Sequence, residues 1–235
     1  SVPEISEQDA TGNVASIYAD IRTTMAMPLV NLIWRHLATR PPALEWAWQA
    51  ARPLYAGGLA SASANALCSE ITLPATNIIP QSVTRCAEVS DQTREIILDL
   101  LDMYNRGNSL NLIALSTLVT RSDSIADSPV PARSEPPLTG TVPSVPSMES
   151  LTAEQREAVI LMNSFGLDKP SPVIATLYRH LALWPPALAL SWTTLAPLHA
   201  SGALATTVNE TALSASRYAA TLRGELGTPG KDHHF

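Results

Sequence analysis

The chain contains one stretch twice, and this repeat constrains the fold more than any other feature. Residues 28–58 align without a gap on residues 172–202, so that Pro28 meets Pro172, 144 positions later. The identical pairs include Arg35/Arg179, His36/His180, Leu37/Leu181, Ala38/Ala182, Pro41/Pro185, Pro42/Pro186, Trp48/Trp192, Pro53/Pro197 and Gly58/Gly202. This agreement indicates an internal duplication, and we expect two pseudo-symmetric helical repeats packed as a pseudo-dimer within one chain.

The composition favours an all-α fold of this duplicated kind. Hydrophobic residues make up 46% of the 235 residues and charged residues only 15%, and the strong helix formers alanine and leucine are abundant. We expect a first helical repeat in residues 1–121, a proline-rich linker in 122–147, and a second, shortened repeat in 148–235.

Charge and hydropathy exclude two classes of partner. The formal net charge is −6 and no cluster of basic residues occurs, so a nucleic acid is not expected as a partner. We find no run of 18 apolar residues and no cationic, apolar leader, and therefore expect a soluble, cytoplasmic protein without a membrane contact. A homodimer is one assembly that the sequence allows.

No metal site or cofactor site is predicted. Cys68 and Cys86 lie 18 positions apart without a CxxC spacing or a flanking histidine, so we expect two small buried thiols. His233 and His234 stand in the last residues of the sequence, where a solvated terminus accounts for them.

Helices can be predicted from apolar spacing and from proline positions. Val14, Ile17, Tyr18, Ile21 and Met25 lie on one side of a first helix. The signature helices are expected at 29–39 and 173–183, with Pro28 and Pro172 in the first turn and the Pro-Pro pairs as stops. After these stops, 43–54 and 187–198 are predicted to be apolar helices on almost every face.

Capping residues mark three further helices. Ser90 and Asp91 are candidate caps for a helix from Thr93 to Asn105. Gly107 is expected to end this helix before another helix at 110–119. Thr152 and Gln155 form a capping-box pattern at the start of the second repeat, and a last helix is expected near 210–223.

No standard catalytic motif is present, and the candidate site residues therefore come from the repeated segments. If the signature helices pack around a pseudo-two-fold axis, Arg35-His36 and Arg179-His180 could line a pocket on that axis. Alternatively, each arginine bonds carbonyl or carboxylate groups of its own repeat and each histidine is a satisfied helix residue. Both interpretations stay open from the residues alone.

Aromatic residues concentrate in the same two segments. They either line an apolar ligand pocket or pack where the repeats meet; the tryptophans are Trp34, Trp46, Trp48, Trp184 and Trp192. The two copies also differ: Asn31 and Trp34 in the first copy correspond to Ala175 and Tyr178 in the second. We take Asn31, Trp34, Leu177 and Tyr178 as candidate substrate-binding residues.

On these residues the chain resembles the group I 2-haloacid dehalogenases, an all-helical family. The resemblance rests on Ile17-Tyr-Ala-Asp-Ile-Arg22, on Pro28 with Arg35-x-Leu-Ala-x-x-Pro41, on Trp48, and on Tyr104-Asn-Arg-Gly-Asn108. In the second repeat it rests on Leu181-Ala-x-Trp-Pro185. The resemblance implies two helical repeats joined by a linker, with the active site between them and no metal or organic cofactor.

The resemblance also implies a reaction. In the family, an aspartate activates water, which displaces halide from C2 of a short 2-haloacid and gives the inverted 2-hydroxyacid. Here no Asp or Glu occurs between Lys169 and Glu210, and the aligned position is at or near Leu177. The remaining candidate bases are Asp168, just before the second signature helix, and His180 on it.

Two functions from different classes follow. The first is a cofactor-independent hydrolytic dehalogenase that acts on a small 2-haloacid. The second is a non-catalytic homologue that binds a small ligand or serves a structural role. The ligand that these functions imply is a small organic acid or a small apolar molecule. The fold is also similar to the alkylhydroperoxidase-like helical group, but the CxxC pair that its peroxidases use is absent here.

Overall fold

The computed structural model of the protein describes residues 2–120, 131–133, 136–138 and 142–228. Within these ranges every regular element is a helix, as the composition predicts, and no helix is long and apolar enough to cross a membrane. The chain divides into two compact units. The central unit is Thr72–Tyr104 with Val142–Glu210 and also includes Val2. The N-terminal unit comprises the described parts of Pro3–Ile71, Asn105–Thr141 and Thr211–Phe235.

The N-terminal unit is built on the first copy of the repeated segment. Its helices are α1 (Gly12–Met25), α2 (Leu32–Leu37), α3 (Pro41–Ala56) and α4 (Leu59–Glu70). Their core side chains are fully buried and include Tyr18, Ile21, Trp34, Leu44, Leu54 and Leu67. The predicted spacing of apolar residues in α1 is confirmed, because Tyr18, Ile21 and Met25 are its buried residues.

The central unit is built on the second copy. It contains α5 (Gln81–Cys86), a 3₁₀ turn at Met148–Ser150, α7 (Ala153–Met162), α8 (Thr176–Leu181) and α9 (Pro185–Ala200). A single core joins α7, α8 and α9 with the start of α6, through Val89, Ile97, Leu151, Val159, Met162, Leu181 and Leu188. The capping box predicted at Thr152 is present: the Thr152 side chain accepts from Gln155 N, and the Gln155 side chain accepts from Thr152 N.

Two helices contribute residues to both units. The first is α6 (Asp91–Val119) and the second is α10 (Ala203–Thr221). The Ser90 hydroxyl accepts from Thr93 N at 3.0 Å, so the predicted cap of α6 is confirmed. A short 3₁₀ turn, Arg223–Glu225, follows α10.

The prediction that Gly107 ends a helix is wrong. Gly107 lies inside α6, which runs on for twelve more residues to Val119. A Cβ at Gly107 would lie 3.0 Å from Asn31 Nδ2 and 3.0 Å from Met27 Cε. The glycine therefore permits a close approach of α6 to the segment before α2, and this contact stabilises a helix that local propensity would interrupt.

The signature helices are shorter than predicted, and Pro28 and Pro172 do not lie in their first turns. They begin at Leu32 and Thr176, after extended N-caps at Asn31 and Ala175. The Glu7 carboxylate accepts from Val30 N at 2.8 Å, which holds the first of these segments extended. The Pro-Pro pairs do stop the signature helices, but they also form the first turn of α3 and α9.

Equivalent helices have equivalent ends in the two copies. The bounds of α2 and α3 reappear 144 positions later in α8 and α9, and α4 and α10 start in the same register. Backbone angles agree too: φ and ψ are −127° and 84° at Arg40 and −126° and 80° at Trp184. This agreement supports the duplication, which remains a prediction, as do the predicted repeat boundaries.

The described parts of the proline-rich linker are not helical, as predicted, and they contact helix ends in the N-terminal unit. Arg133 N donates to Gly58 O at 3.1 Å, and Leu138 N donates to Ala26 O at 3.2 Å. Gly58 has a φ of +73°, and a Cβ there would lie 2.5 Å from Arg133 O. Only glycine accommodates both the backbone conformation and the passing chain.

The prediction of buried thiols is wrong, because Cys68 and Cys86 are both exposed. Cys68 lies in the last turn of α4 and Cys86 ends the short helix α5, where few neighbours can cover a side chain. The predicted solvated tail at His233 and His234 lies outside the described residues.

Candidate functional site

A buried polar cluster in the N-terminal unit contains two of the predicted site residues. Trp34 is fully buried, and its Nε1 donates to Asn111 Oδ1 at 2.9 Å. The Tyr55 hydroxyl donates to the same oxygen at 2.9 Å, and burial raises the pKa of Tyr55 well above its usual range. The Trp34 ring contacts Trp48 edge-on at 5.4 Å, so these aromatic rings pack within one repeat.

Two amide groups of this cluster have atoms without a protein partner. Asn111 Nδ2 and Asn31 Oδ1 are buried and make no hydrogen bond to the protein. Asn31 and Trp34 lie one turn apart at the start of α2. They contact Gly107 and Asn111, which lie one turn apart on α6. The cluster thus presents a buried donor and a buried acceptor that a small polar ligand could satisfy.

Asn111 was missed by sequence reasoning. It lies among apolar residues of α6, with buried neighbours at Leu110, Ile113 and Ala114. An amide on the apolar side of a predicted helix is a usable signal, because a buried polar side chain requires partners. Only the structure identifies those partners as Trp34 and Tyr55, which are 77 and 56 positions away.

His180 lies in the core of the central unit and is fully buried. Its Nε2 is 2.8 Å from Pro143 O, and its Nδ1 is 2.7 Å from the Tyr104 hydroxyl. Because a carbonyl oxygen only accepts, Nε2 carries the proton in the neutral ring and Nδ1 accepts from Tyr104. Both ring nitrogens are therefore engaged.

The repeated Arg-His pairs bond the segments that precede their own helices. His36 Nδ1 lies 2.7 Å from Pro3 O, and Arg35 pairs with Glu4 at 3.1 Å. In the second copy, Arg179 Nε donates to Pro146 O at 3.0 Å. In the second copy the partners Pro143, Pro146 and Tyr104 all lie outside the predicted repeat 148–235, so these contacts do not decide between the two interpretations. The alternative, a shared pocket on a pseudo-two-fold axis, stays a prediction.

The other predicted site residues of the central unit surround one helix. Leu177 and Tyr178 are half-buried on α8 and pack against the apolar core of this unit, and burial raises the pKa of Tyr178. Asp168 lies on an exposed bend between α7 and α8. The structure thus groups Leu177, Tyr178 and His180 on α8, with Asp168 outside that helix.

Among the described residues, no Asp or Glu side chain is buried. The half-buried carboxylates lie in the N-terminal unit, and Asp20 is one of them. It accepts from Trp48 Nε1 at 2.7 Å and from Arg52 Nε and Nη2 at 2.7 and 2.9 Å. The hydrogen bonds from Arg52, assisted by Trp48, lower the pKa of Asp20 to about 2. Asp20 thus connects α1 to α3.

We expect Asp20→Asn to lower thermal stability at neutral pH and to have no effect at very low pH. The depressed pKa means that Asp20 stabilises the fold above its ordinary pKa of 3.8, and that this contribution disappears as the pH falls towards about 2. Because Asp20 and Arg52 are both partly exposed, we expect the free energy of unfolding to fall by about 1 kcal/mol and the melting temperature by about 2–4 °C. Melting curves between pH 2 and 7 test this, and a difference that is constant with pH would contradict it.

A cavity of about 450 Å³ lies within the N-terminal unit, beside the buried cluster. It is formed by the ends of α1 and α3, by Tyr55 and Leu110, and by Arg106 and Arg133. Arg106 Nη1 donates to Pro136 O, so this guanidinium holds the linker. The size is within the range of small-ligand pockets.

Within the described ranges, no group of three or more His, Cys, Asp or Glu side chains is placed to bind a metal ion. This finding does not extend to the rest of the chain.

Comparisons with known proteins give one relative by sequence and several by structure. No protein-family model matches the chain. An (R)-2-haloacid dehalogenase from Pseudomonas putida is 26% identical over 105 residues, which are 43% of this chain and 35% of that protein. The match thus spans about a third of the relative's length.

The structural matches cover nearly the whole chain. A D-2-haloacid dehalogenase mutant in complex with D-2-CPA has a TM-score of 0.70 at 19% identity, over 96% of this chain and 82% of that one. A structure of a D-2-haloacid dehalogenase with L-LA has a TM-score of 0.66 at 19% identity, over 94% and 80%. At these identities the structures establish the fold.

Together the two kinds of match confirm the resemblance that the sequence predicted. The curated relative and the two solved structures described above are 2-haloacid dehalogenases, and all of this chain's described regular elements are helical. This protein has the all-α fold of the D-2-haloacid dehalogenases.

Proposed function

We propose that this chain holds a small 2-haloacid, or a closely related small carboxylic acid, at the amides of Asn31 and Asn111. The observation that carries the proposal is Asn111 Nδ2, a buried donor without a protein partner, while Trp34 and Tyr55 occupy the oxygen of the same amide. Such a donor can bind a carboxylate oxygen through a charge-assisted hydrogen bond. The complex of a structural neighbour with D-2-CPA supports this class of ligand.

The proposed reaction is hydrolysis by direct water attack. The water oxygen forms a bond to C2 while the carbon–halogen bond breaks, and the halide leaves with the electron pair. A base takes the proton of the water, and Asp168 and His180 are the candidates. For His180 to act as the base, its Nδ1 must exchange the Tyr104 hydroxyl for the water; Asp168 lies on an exposed bend.

A second function is binding of the same acid without hydrolysis. The hydrogen bonds at both ring nitrogens of His180 and the exposed position of Asp168 favour it. The two functions share the ligand and differ only in halide release. The predicted cytoplasmic location remains a prediction for either function.

Halide release from D- and L-2-chloropropionate separates the two functions. For the hydrolase, we expect release by the wild-type chain, and a loss of at least about 100-fold in kcat in either Asp168→Asn or His180→Gln. His180→Gln is preferred to alanine because an amide can still donate to Pro143. Binding of the acid without halide release would establish the second function. Release that both variants retain would exclude both candidate bases.

We expect Asn111→Asp to weaken binding of D-2-chloropropionate at least tenfold by calorimetry. The carboxylate keeps an oxygen for Trp34 and Tyr55, but it replaces the free donor with a second acceptor that repels the acid. Arg133→Gln, in the neighbouring cavity, is the matched control and should bind normally. Weakening by Arg133→Gln alone would place the ligand in that cavity instead.

A further inference from the structure

Two guanidinium groups line the cavity of the N-terminal unit. Arg106 lies on α6 and Arg133 lies in the described part of the linker, and both border the same space of about 450 Å³. The other described residues of its wall are uncharged, whereas the whole chain has a net charge of −6. The described wall thus carries two positive charges within an acidic protein, and such a cavity attracts small anions.

Hydrogen bonds to backbone groups hold both arginines at this wall. Arg133 N donates to Gly58 O at 3.1 Å, which fixes the residue beside the N-cap of α4. Arg106 Nη1 donates to Pro136 O, three positions further along the linker. Because a guanidinium group has five N–H donors in one plane, Arg106 can bond this carbonyl and the oxygens of an anion at the same time.

The start of α4 (Leu59–Glu70) adds neutral donors to the same wall. Gly58 is the N-cap of α4 and Ser61 is its third residue, and both line the cavity. The first N–H groups of a helix have no acceptor within that helix, and they form the positive end of its dipole. The Ser61 hydroxyl is one more donor beside them.

The ends of α1 and α3 bring carbonyl oxygens, which repel anions, to this cavity. At the end of α1, Ala26 N donates to Thr23 O and Leu138 N donates to Ala26 O. At the end of α3, Gly57 N donates to Pro53 O. A helix end carries only about half an elementary charge, and these bonds offset part of it, so the two full charges of the guanidinium groups prevail.

We propose that this space, called here the arginine cavity, binds the phosphoryl group of inorganic phosphate or of a small phosphate ester. A phosphoryl group is close to a dianion at neutral pH, and its three oxygens can accept from both guanidinium groups and from the start of α4 together. A carboxylate has one charge and two oxygens, and it would leave part of this donor set unused. The volume leaves room for a small organic group beside the phosphoryl group.

This site is distinct from the amides of Asn31 and Asn111. Neither amide is among the residues that line the arginine cavity. The phosphoryl site therefore does not rest on the proposed function, and the two can be tested independently.

Calorimetric titration of the full chain with inorganic phosphate and with glycerol 3-phosphate tests the proposal. At low ionic strength and a pH of about 7.5, we expect at least one of them to bind with a Kd below about 1 mM. Tighter binding of the ester would identify a phosphorylated metabolite as the ligand, and tighter binding of phosphate would identify the free ion. The absence of binding of either at about 10 mM would overturn the proposal.

Two arginine variants separate charge from geometry. Arg133→Gln removes one positive charge and should raise the Kd for the phosphoryl ligand at least tenfold. Arg106→Lys keeps the charge but loses the planar set of donors, and we expect an increase of about threefold to tenfold. Arg133 is exposed and its bond to Gly58 is a backbone bond, so Arg133→Gln should keep the melting temperature of the wild type.

Arg40 supplies the matched control. It is the exposed N-cap of α3, at the end of that helix away from the cavity, and Arg40→Gln changes the net charge by the same amount. This variant should bind the phosphoryl ligand like the wild type. D-2-chloropropionate, a monoanion, should not displace that ligand. Equal weakening by Arg40→Gln, or displacement by D-2-chloropropionate, would contradict a phosphoryl site in the arginine cavity.

Discussion

Trp34→Ala should lower the free energy of unfolding by about 3–5 kcal/mol, the largest change that we expect from one substitution. The Trp34 side chain is fully buried, and removing it opens a cavity against Trp48 and Tyr55. It also removes one of the two donors to Asn111. The midpoint of urea unfolding, followed by circular dichroism, measures the change.

The neighbouring residue is the control for Trp34. Ile33 lies on the same helix but is 39% exposed, so Ile33→Ala should cost less than about 1 kcal/mol. Trp34→Phe retains most of the volume and loses the Nε1 donor, and we expect about 1–2 kcal/mol. Equal losses for Trp34→Ala and Ile33→Ala would show that the aromatic cluster does not support the N-terminal unit.

His180→Ala should cost about 2–4 kcal/mol and more than the same change at the equivalent His36. The Tyr104 hydroxyl and the Pro143 carbonyl would lose their imidazole partner in a buried place, and the apolar core of the central unit would gain a cavity. His36 bonds Pro3 in an exposed setting, so water can replace its imidazole. Urea unfolding of the two variants, compared pairwise, measures the difference.

This comparison also bears on the role of His180. If the main role of His180 is to bind the segment before α7, His180→Gln should be more stable than His180→Ala, because the glutamine amide can donate to the Pro143 carbonyl. A His180→Ala variant as stable as His36→Ala would contradict a structural role. Together with the halide-release assay, these stability measurements distinguish a structural role of His180 from a role as the general base.

Local sequence predicts those parts of the fold that depend on local chemistry. The helix α1, the Ser90 cap and the Thr152 capping box all follow from residues within a few positions of one another. The stops at the Pro-Pro pairs were predicted for the same reason. Their second role, as the first turn of the next helix, follows from the same fixed φ of proline but was not predicted.

Distant contacts account for the errors. Gly107 has the local features of a helix stop, but the helix continues because Met27 and Asn31 pack against it from a distant segment of the chain. Asn111 became a candidate only when Trp34 and Tyr55 were seen to share its oxygen. Of the residues predicted for the site, Asn31 and Trp34 lie in that cluster, and Leu177, Tyr178 and His180 lie on α8. Their assigned roles remain predictions.

The linker contacts at Ala26 and Gly58 have a consequence for dividing this chain into fragments. Carbonyls at the end of a helix need partners from outside it, and the Ala26 carbonyl, at the C-cap of α1, accepts from Leu138 N. The Gly58 carbonyl, at the N-cap of α4, accepts from Arg133 N as well as from Ala62 N of its own helix. The end of α1 and the start of α4 thus have partners far along the sequence. In a fragment that stops before the linker, water would replace the linker donors at these carbonyls. The stability of the helices in such a fragment would therefore not represent their stability in the intact protein.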